Sequence, residues 1–321
     1  MSERWPQRAL LVTGKGGVGK TALSAALACA QAKAGHRVLV AEIGSDEDEP
    51  SPLIRALGGS RPRDGGLRPI LPGLEAVRLT PQAGQQGFFR DTLRVKLLVD
   101  AAMRLSAIRR FLSAAPAFNE LGVLYQLFQL MREKRPDGQP RFERLVVDTP
   151  ATGHALALTQ LPDIVLKLIP TGPIGAATGA GLGALRDPRR TACIVVTLPE
   201  VLPVTEALEL VEGFERRETA VREIWVNRVP GDPFEGRPEA GQAARALFAA
   251  EGAGKGAMWG ARTLARLERS REAIELLRSK SPRALRFLPE YLLEGPALVE
   301  ALAEELSRDA FGDLAAPLSG D

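Results

Sequence analysis

The residues with the clearest chemical potential form one glycine-rich octet, GKGGVGKT, at residues 14–21. Glycines let backbone N–H groups converge on an anion, as a phosphate-binding loop requires. In such a loop Lys20 reaches the β- and γ-phosphates, and the Thr21 hydroxyl is a ligand for Mg²⁺. The octet therefore predicts a site for ATP or ADP with Mg²⁺. Its predicted binding residues are Gly14, Lys15, Gly16, Gly17, Val18, Gly19, Lys20, Thr21 and Ala22.

A second candidate is Asp148, which ends the apolar run LVVD. A carboxylate at the end of a buried strand can hold a Mg²⁺-bound water, whereas alone it would more often be a cap or turn residue. Thr152, Gly153 and His154 follow in a loop that could sense the γ-phosphate. His154 by itself would more often be an ordinary loop histidine. The glycine octet upstream favours the metal role for Asp148.

The elements that must position these residues alternate between strand and helix. Apolar runs predict strands at 8–13, 37–42, 75–80, 144–148, 193–198 and 223–227, with 75–80 at a sheet edge and 59–73 a loop. Three- and four-residue apolar spacing predicts helices at 19–34, 92–114, 118–133, 205–216, 261–279 and 295–307. This alternation is typical of an α/β fold with a doubly wound, mainly parallel sheet. We expect a single domain over 1–321, with a helical insertion subdomain formed by about 82–135 and 155–190.

Composition narrows the function classes. Charged residues make up 25% of the chain and the formal net charge is only +3. The arginines are dispersed, so nucleic-acid binding is not expected. The chain begins without the apolar segment of a signal peptide, and two cysteines suggest no disulfide framework, so we expect a cytoplasmic protein. The uncharged stretch 168–185 holds two prolines and five glycines, which argues against a membrane-spanning helix.

Lys15 directly follows the first glycine, which marks the deviant class of P-loops. The run LVVDTPATGHALALTQLP, residues 145–162, closely resembles the second switch of the ATPases that drive arsenite pumps or deliver tail-anchored membrane proteins. Residues 197–211 and 224–230 resemble the family's later strand–helix–strand unit, and the stretch from 288 resembles its C-terminal loop. Residues 116–124 resemble a family segment at the dimer interface. The chain thus resembles this family over most of its length.

The resemblance implies a Mg²⁺-ATP-dependent dimeric switch in which Lys15 contacts nucleotide across the dimer interface. The Asn227 amide carries a donor and an acceptor, which suits the edge of adenine. Pro289 lies in a stretch that resembles the loop closing over the base. We therefore add Asn227 and Pro289 to the predicted nucleotide contacts.

The first switch departs from the family pattern, an Asp-Pro-Ala-His-Ser run whose Asp orients the attacking water. Counting forward from the second strand places Gly44 at that position, and counting backward from residues 53–58 places Asp48 there. Asp46 and Asp48 are the candidates for positioning water, and a solvated acidic loop is an equally good interpretation. Ala22 replaces a second hydroxyl residue. Both departures make fast hydrolysis doubtful.

Cys29 and Cys193 are too few and too far apart for the thiolate cluster of an arsenite pump subunit or for a zinc staple between subunits. Three functions remain. The first is a switch ATPase, as homodimer or heterodimer, whose helical part binds an apolar protein client or a membrane-protein partner. The alternative is a regulatory or scaffolding subunit with weak or no hydrolysis, paired with a related ATPase. A partitioning or septum-positioning ATPase fits the DTPATGH run and the helical insertion less well.

For the client, we expect a groove lined by apolar stripes that include Leu98, Leu105, Leu124 and Phe128. The simpler interpretation is that these stripes pack on each other. The glycines between Gly172 and Gly183 are expected to give the neighbouring segment the mobility of a lid.

Overall fold

The computed structural model describes residues 5–44, 51–59, 66–92, 116–150, 171–249 and 255–308, together with 156, 159, 160, 162, 163, 166 and 167. Within this part of the chain, eight strands form one sheet in the order β3-β4-β2-β5-β1-β6-β7-β8. The strands are β1 (Ala9–Gly14), β2 (Val38–Ile43), β3 (Arg68–Leu71), β4 (Leu74–Leu79), β5 (Arg144–Asp148), β6 (Thr191–Thr197), β7 (Val221–Val229) and β8 (Ala284–Pro289). Neighbouring strands run parallel except for β3, which is antiparallel to β4.

Helices cover both faces of the sheet. They are α1 (Lys20–Lys33), α2 (Pro52–Ala56), α3 (Pro81–Thr92), α4 (Pro116–Arg132), α5 (Gly172–Arg186), α6 (Val201–Glu215), α7 (Pro238–Ala249), α8 (Lys255–Lys280) and α9 (Gly295–Ser307). On one face α1 and α9 pack against the central strands. On the other, α4 covers β2, β5 and β1, while α6 and α8 cover β6 and β7. The expected α/β fold with a mainly parallel sheet is confirmed.

Burial on both faces explains why the central strands are apolar runs. In β2, Val38 and Val40 face the α1 side, while Leu39 and Ala41 face α4. Side chains point to opposite faces along a strand, so every position of such a strand is buried. All four are 0% exposed, which anchors the strand that leads into the acidic loop.

Two strands escape sequence analysis. Residues 68–71 were expected to be loop, yet they form β3, so the 75–80 strand is one position in from the edge rather than at it. Pro69 is tolerated because β3 is itself an edge strand. The other missed strand is β8, whose apolar pattern is interrupted by Arg286. That side chain is buried and lies 3.8 Å (Nε to Oε2) from Glu223 on β7.

The helical insertion is described in part. Its predicted helix 118–133 corresponds to α4, whereas the predicted helix 92–114, with Leu98 and Leu105, lies outside the described residues. Gly84 of α3 and Gly122 of α4 bring these two helices together, since a Cβ on either would overlap or crowd backbone atoms of the other. Glycine therefore sets the distance between α3 and α4.

The glycine-rich segment differs from expectation. Gly172–Arg186 form a regular helix, so the expected lid is a helix packed near α4, with Gly181 against Phe128. Pro173 lies in its first turn, where its missing N–H has no cost. Among the helices that the structure describes, none is long and apolar enough to cross a membrane.

Candidate functional site

The glycine octet lies where expected, between the carboxyl end of β1 and the amino end of α1. Gly17 and Gly19 have φ values of +84° and +94°, which residues with a Cβ rarely adopt. Gly19 is the N-cap of α1, and no side chain caps this helix. The first N–H groups of α1 therefore remain available to an anion, with the positive end of the helix dipole behind them.

Lys20 folds back over the loop. Its Nζ donates to the carbonyl oxygen of Lys15 at 2.8 Å. Burial lowers the pKa of Lys20, and the charge of Asp148 opposes that shift. The ammonium group is thus held beside both the phosphate loop and the carboxylate, where it would meet the β- and γ-phosphates.

Asp148 ends β5 and lies against the start of α1. The Thr21 Oγ1 donates to Asp148 Oδ2 at 2.7 Å, and the Ser24 Oγ donates to Oδ1 at 3.3 Å. Burial raises the pKa of Asp148 to about 6, and the nearby charge of Glu42 adds to the rise, while the Thr21 hydrogen bond opposes it. Ser24 was not foreseen as a partner, although its spacing of three from Thr21 places it on the same helix face.

These side chains fit a magnesium ion. Hydroxyl and carboxylate oxygens are the donors that Mg²⁺ takes together with phosphates and waters. Thr21 and Asp148 supply both kinds within 2.7 Å of each other. A divalent cation here would also offset the burial of the Asp148 charge. The residues present therefore fit a magnesium ion, and the role of Asp148 through a bound water stays a prediction.

Glu42 is a buried carboxylate that sequence reasoning missed. It is the next-to-last residue of β2, lies directly beside Asp148 in the strand register and is 7% exposed. Its carboxylate accepts hydrogen bonds from the hydroxyl of Ser51 and from the N–H of Leu53 at 3.2 Å. The sequence did contain an indication, because Glu42 is a carboxylate at the end of the otherwise apolar run in RVLVAE.

This arrangement braces the acidic loop from both ends. Ser51 accepts from the N–H of Ile54 at 3.0 Å and so caps α2, while Glu42 holds Ser51. Asp46 and Asp48 lie outside the described residues, between these two anchors. Gly44 is described, and a Cβ there would overlap the guanidinium group of Arg78. A side chain at position 44 would require this group, the end of a flexible side chain, to move.

Asn227 lies close to the phosphate loop, from the carboxyl end of β7. Its Nδ2 donates to the carbonyl oxygen of Val18 at 2.8 Å, and a Cβ on Gly19 would overlap that nitrogen. The side chain thus holds the phosphate loop through its Nδ2. Pro289 ends β8, beside β7. The contacts of Asn227 and Pro289 with adenine stay predictions.

Lys15 forms an ion pair with Glu206 of α6 in the same chain. The side chains of Lys15 and Glu206 are 41% and 27% exposed, so the pair is accessible to solvent. The predicted contact of Lys15 with a nucleotide across a dimer interface would require this pair to open. Ala22 packs partly buried against the core on the α1 side.

The segment that resembles the second switch is anchored at its start by Thr149. Thr149 donates to the carbonyl oxygen of Val12 through both its N–H (3.1 Å) and its Oγ1 (3.0 Å). Thr152, Gly153 and His154 follow outside the described residues, so their predicted roles stay predictions. No group of three or more His, Cys, Asp or Glu side chains in the described segments could form a separate metal cluster.

A glycine loop between a parallel strand and a helix, closed by a hydroxyl–carboxylate pair, defines a P-loop nucleotide-binding protein. The chain belongs to the family described as the CobQ/CobB/MinD/ParA nucleotide binding domain, whose profile matches residues 9–287. Nucleotide binding follows from this membership and from the geometry of the loop.

Named relatives narrow the resemblance. The chain is 27% identical over 236 residues to ATPase BagA of Mycobacterium tuberculosis, covering 70% of this chain and 67% of the relative. It is 33% identical over 228 residues to an arsenical pump-driving ATPase of Acidiphilium multivorum, covering 62% of this chain and 36% of the relative. It is 25% identical over 269 residues to ATPase GET3B of Arabidopsis thaliana, covering 68% and 63%. The family recognised from the deviant P-loop and the second-switch motif is thereby confirmed, and the relatives support ATP hydrolysis in general terms.

Proposed function

We propose that this chain is a Mg²⁺-ATP-dependent switch ATPase that acts as a dimer, with the nucleotide state transmitted to its helical part. The hydrogen bond between Thr21 and Asp148 carries the proposal, because it joins the phosphate loop to the strand that enters the second switch. Bound Mg²⁺ would neutralise phosphate charge during transfer to water. Thr21 and Asp148 would then orient around the ion instead of each other.

The roles of the other residues follow from their positions. Lys20 and the N–H groups at the start of α1 would hold the β- and γ-phosphates. Asp46 or Asp48 would position the attacking water from a loop whose ends are held through Glu42 and Ser51. The strand end at Asp148 passes any shift to residues 152–154, and from there towards the helical subdomain.

Two features at the carboxyl edge of the sheet support a dimer. Lys15 is accessible on this edge. Aliphatic side chains that follow β6 and β8 are also exposed, with Leu202 at 62% and Leu292 at 99%. Exposed apolar groups beside a nucleotide loop suit contact with another subunit. We infer that the dimer, whether homodimer or heterodimer, forms through this edge.

Leu124, one of the residues expected to line a client groove, lies in the core. Leu124 is 6% exposed and packs on the sheet with Val123 and Leu127, so it belongs to the core on the α4 side. A charged substitution at Leu124 would therefore report on folding rather than on a groove. Any apolar client or membrane-protein partner would have to be held through other residues of the helical subdomain.

A regulatory subunit with weak hydrolysis is the second candidate. It is favoured by position 44, where this chain carries glycine and therefore has no carboxylate that could position water. Under this alternative the Thr21–Asp148 site still binds Mg²⁺-ATP, and turnover requires a related ATPase as partner.

Calorimetric ATP binding and phosphate release by the purified chain test both candidates. Lys20→Ala and Thr21→Ala should weaken binding of Mg²⁺-ATP strongly, while Lys33→Ala, at the exposed far end of α1, should not. Replacing Asp46 and Asp48 together by Asn should lower turnover by about 100-fold and leave binding intact. Unchanged ATP affinity in both Lys20→Ala and Thr21→Ala would refute the nucleotide site. Turnover unaffected by the double Asn variant would favour the regulatory subunit.

A further inference from the structure

A second site lies at the amino edge of the sheet, opposite the nucleotide loop. A cavity of about 340 Å³ opens there between the ends of α4 and α5. Its lining includes Arg8, Arg132, Lys134 and Arg190 on one side and Phe128 and Met131 on the other. This volume falls within the range of ligand pockets in proteins, so the cavity is large enough for a small molecule.

The rim of this cavity is cationic. Arg8 and Arg190 immediately precede the neighbouring strands β1 and β6, and the N–H of Ala9 donates to the carbonyl oxygen of Arg190 at 2.9 Å. Arg132 and Lys134 add two more positive charges. Among the described residues none of these four side chains has an ion-pair partner. Glu133, the carboxylate of the lining, is already paired with Arg141 at 2.9 Å.

Backbone carbonyls hold the side chain of Arg8, whereas Arg190 is exposed and lies within electrostatic range of Asp187. Arg8 is half-buried, and its Nη2 donates to the carbonyl oxygens of Met131 (2.5 Å) and Phe142 (3.3 Å). Burial lowers the pKa of Arg8, and the like charge of Arg190 lowers it further. An anion between Arg8 and Arg190 would relieve this repulsion. It would also accept hydrogen bonds from free N–H groups of the two guanidinium groups.

The opposite wall is apolar. Phe128, Met131, Ala180 and Ala184 present carbon surface without a charged group. The wall continues into a narrow apolar gap under α4, which shares Phe128, Met131 and Ala184 with the cavity. A ligand with a charged head and an aliphatic tail would therefore place its head at the arginines and its tail along α4.

We propose that this cavity binds a small anionic amphiphile, namely an aliphatic monocarboxylate of medium chain length. At about 30 Å³ for each non-hydrogen atom, as in liquid water, the volume holds roughly ten such atoms. Octanoate has that size, whereas a diacyl lipid is several times too large. The site is independent of the nucleotide loop and of the proposed ATPase activity.

Calorimetric titration of the nucleotide-free chain with octanoate tests the site, with acetate and octyltrimethylammonium as matched probes. We expect octanoate to bind, and acetate and the cation to bind at least about tenfold more weakly. Arg190→Gln should weaken octanoate binding about tenfold or more, because it removes one charge from the rim. Arg189→Gln is the control, since Arg189 is 90% exposed, pairs with Asp187 and does not line the cavity.

A filling variant separates the cavity from the surface charge. Ala180→Phe should block octanoate while thermal unfolding and Mg²⁺-ATP binding stay as in the parent chain. The proposal is overturned if octanoate binds no better than acetate, or if Arg190→Gln binds it like the parent. It is also overturned if the chain binds vesicles of anionic phospholipid through Arg190 without binding octanoate, since the ligand would then be a membrane surface.

Discussion

Lys15 and Glu206 form an ion pair within one chain, although 191 positions separate them. Lys15 cannot keep this partner and also reach a nucleotide bound to another subunit. We therefore expect Glu206→Gln to favour ATP-dependent dimerisation. An accessible ion pair contributes about 0.2–1 kcal/mol. Each pair that must open therefore corresponds to a dimer dissociation constant lowered at most about fivefold. Analytical ultracentrifugation with ATP measures this constant, and Glu209→Gln, on the exposed side of the same helix, is the control.

Lys15→Ala tests the other half of the pair. It should keep most nucleotide affinity in the single chain, since Lys20 and Thr21 remain, but weaken dimerisation and turnover. Mixing Lys15→Ala chains with Lys20→Ala chains should partly restore turnover, because one composite site then retains both lysines. Equal turnover by a verified monomer would contradict a role between subunits.

Asp148→Asn is expected to separate metal binding from nucleotide binding. The Asn oxygen can still accept from Thr21, so folding should be retained, and stability can rise because a buried charge disappears. The affinity for Mg²⁺ in the presence of ATP should fall about 10- to 100-fold, as for groups that hold a metal through water. Fluorescent-nucleotide titrations with and without Mg²⁺ measure the effect. Asp137→Asn, in an exposed turn, should change nothing; an unaltered Mg²⁺ dependence in Asp148→Asn would remove it from the metal site.

The contact of α3 with α4 predicts opposite effects of one substitution at different glycines. Gly84→Ala places a methyl group on the carbonyl oxygen of Gly122, and Gly122→Ala places one 2.5 Å from that of Pro81. Each should lower the free energy of unfolding by about 1–3 kcal/mol through overpacking. Gly183→Ala in α5 meets no atom within 4 Å and should raise it by about 0.5–1 kcal/mol. Urea denaturation of the three variants decides; a stabilised Gly84→Ala would contradict the close approach.

The two cysteines are expected to be unreactive in the folded chain. Burial raises the pKa of Cys29 to about 11, and it raises that of Cys193 still further. At pH 8 a thiol with a pKa near 8.5 is about one quarter thiolate, whereas Cys29 would be about 0.1%. Alkylation by iodoacetamide should therefore be slow and keep rising through pH 10. Rapid labelling that levels off near pH 9 would contradict the burial of Cys29.

The burial of both thiols also bears on function. Cys29 packs on the α1 side of the sheet and Cys193 on the α6 side, so the sheet separates them. One chain cannot bring the two thiolates to a shared ion. The thiolate-based metalloid site that the sequence argued against is thus prevented by position as well as by number.

The sequence by itself determined the phosphate loop, the parallel α/β architecture and the family. These rest on short-range features: glycine spacing, apolar runs and a strand-terminal aspartate are legible within a few residues. The central strands β1, β2 and β5 were predicted to within one residue because burial on both faces demands unbroken apolar runs. Edge strands β3 and β8 carry weaker patterns, since Pro69 and Arg286 interrupt them, and they were missed.

Only the tertiary structure decided which distant side chains meet. From the sequence Glu42 is an ordinary strand end, whereas the strand register places it beside Asp148. The sequence likewise gives no sign that Asn227, which is predicted to contact adenine, donates a hydrogen bond to Val18. The pairing of Lys15 with Glu206 and the approach of Arg8 to Arg190 likewise depend on strand order. Sequence spacing carries no information on such contacts, because they arise where the sheet brings separate chain segments side by side.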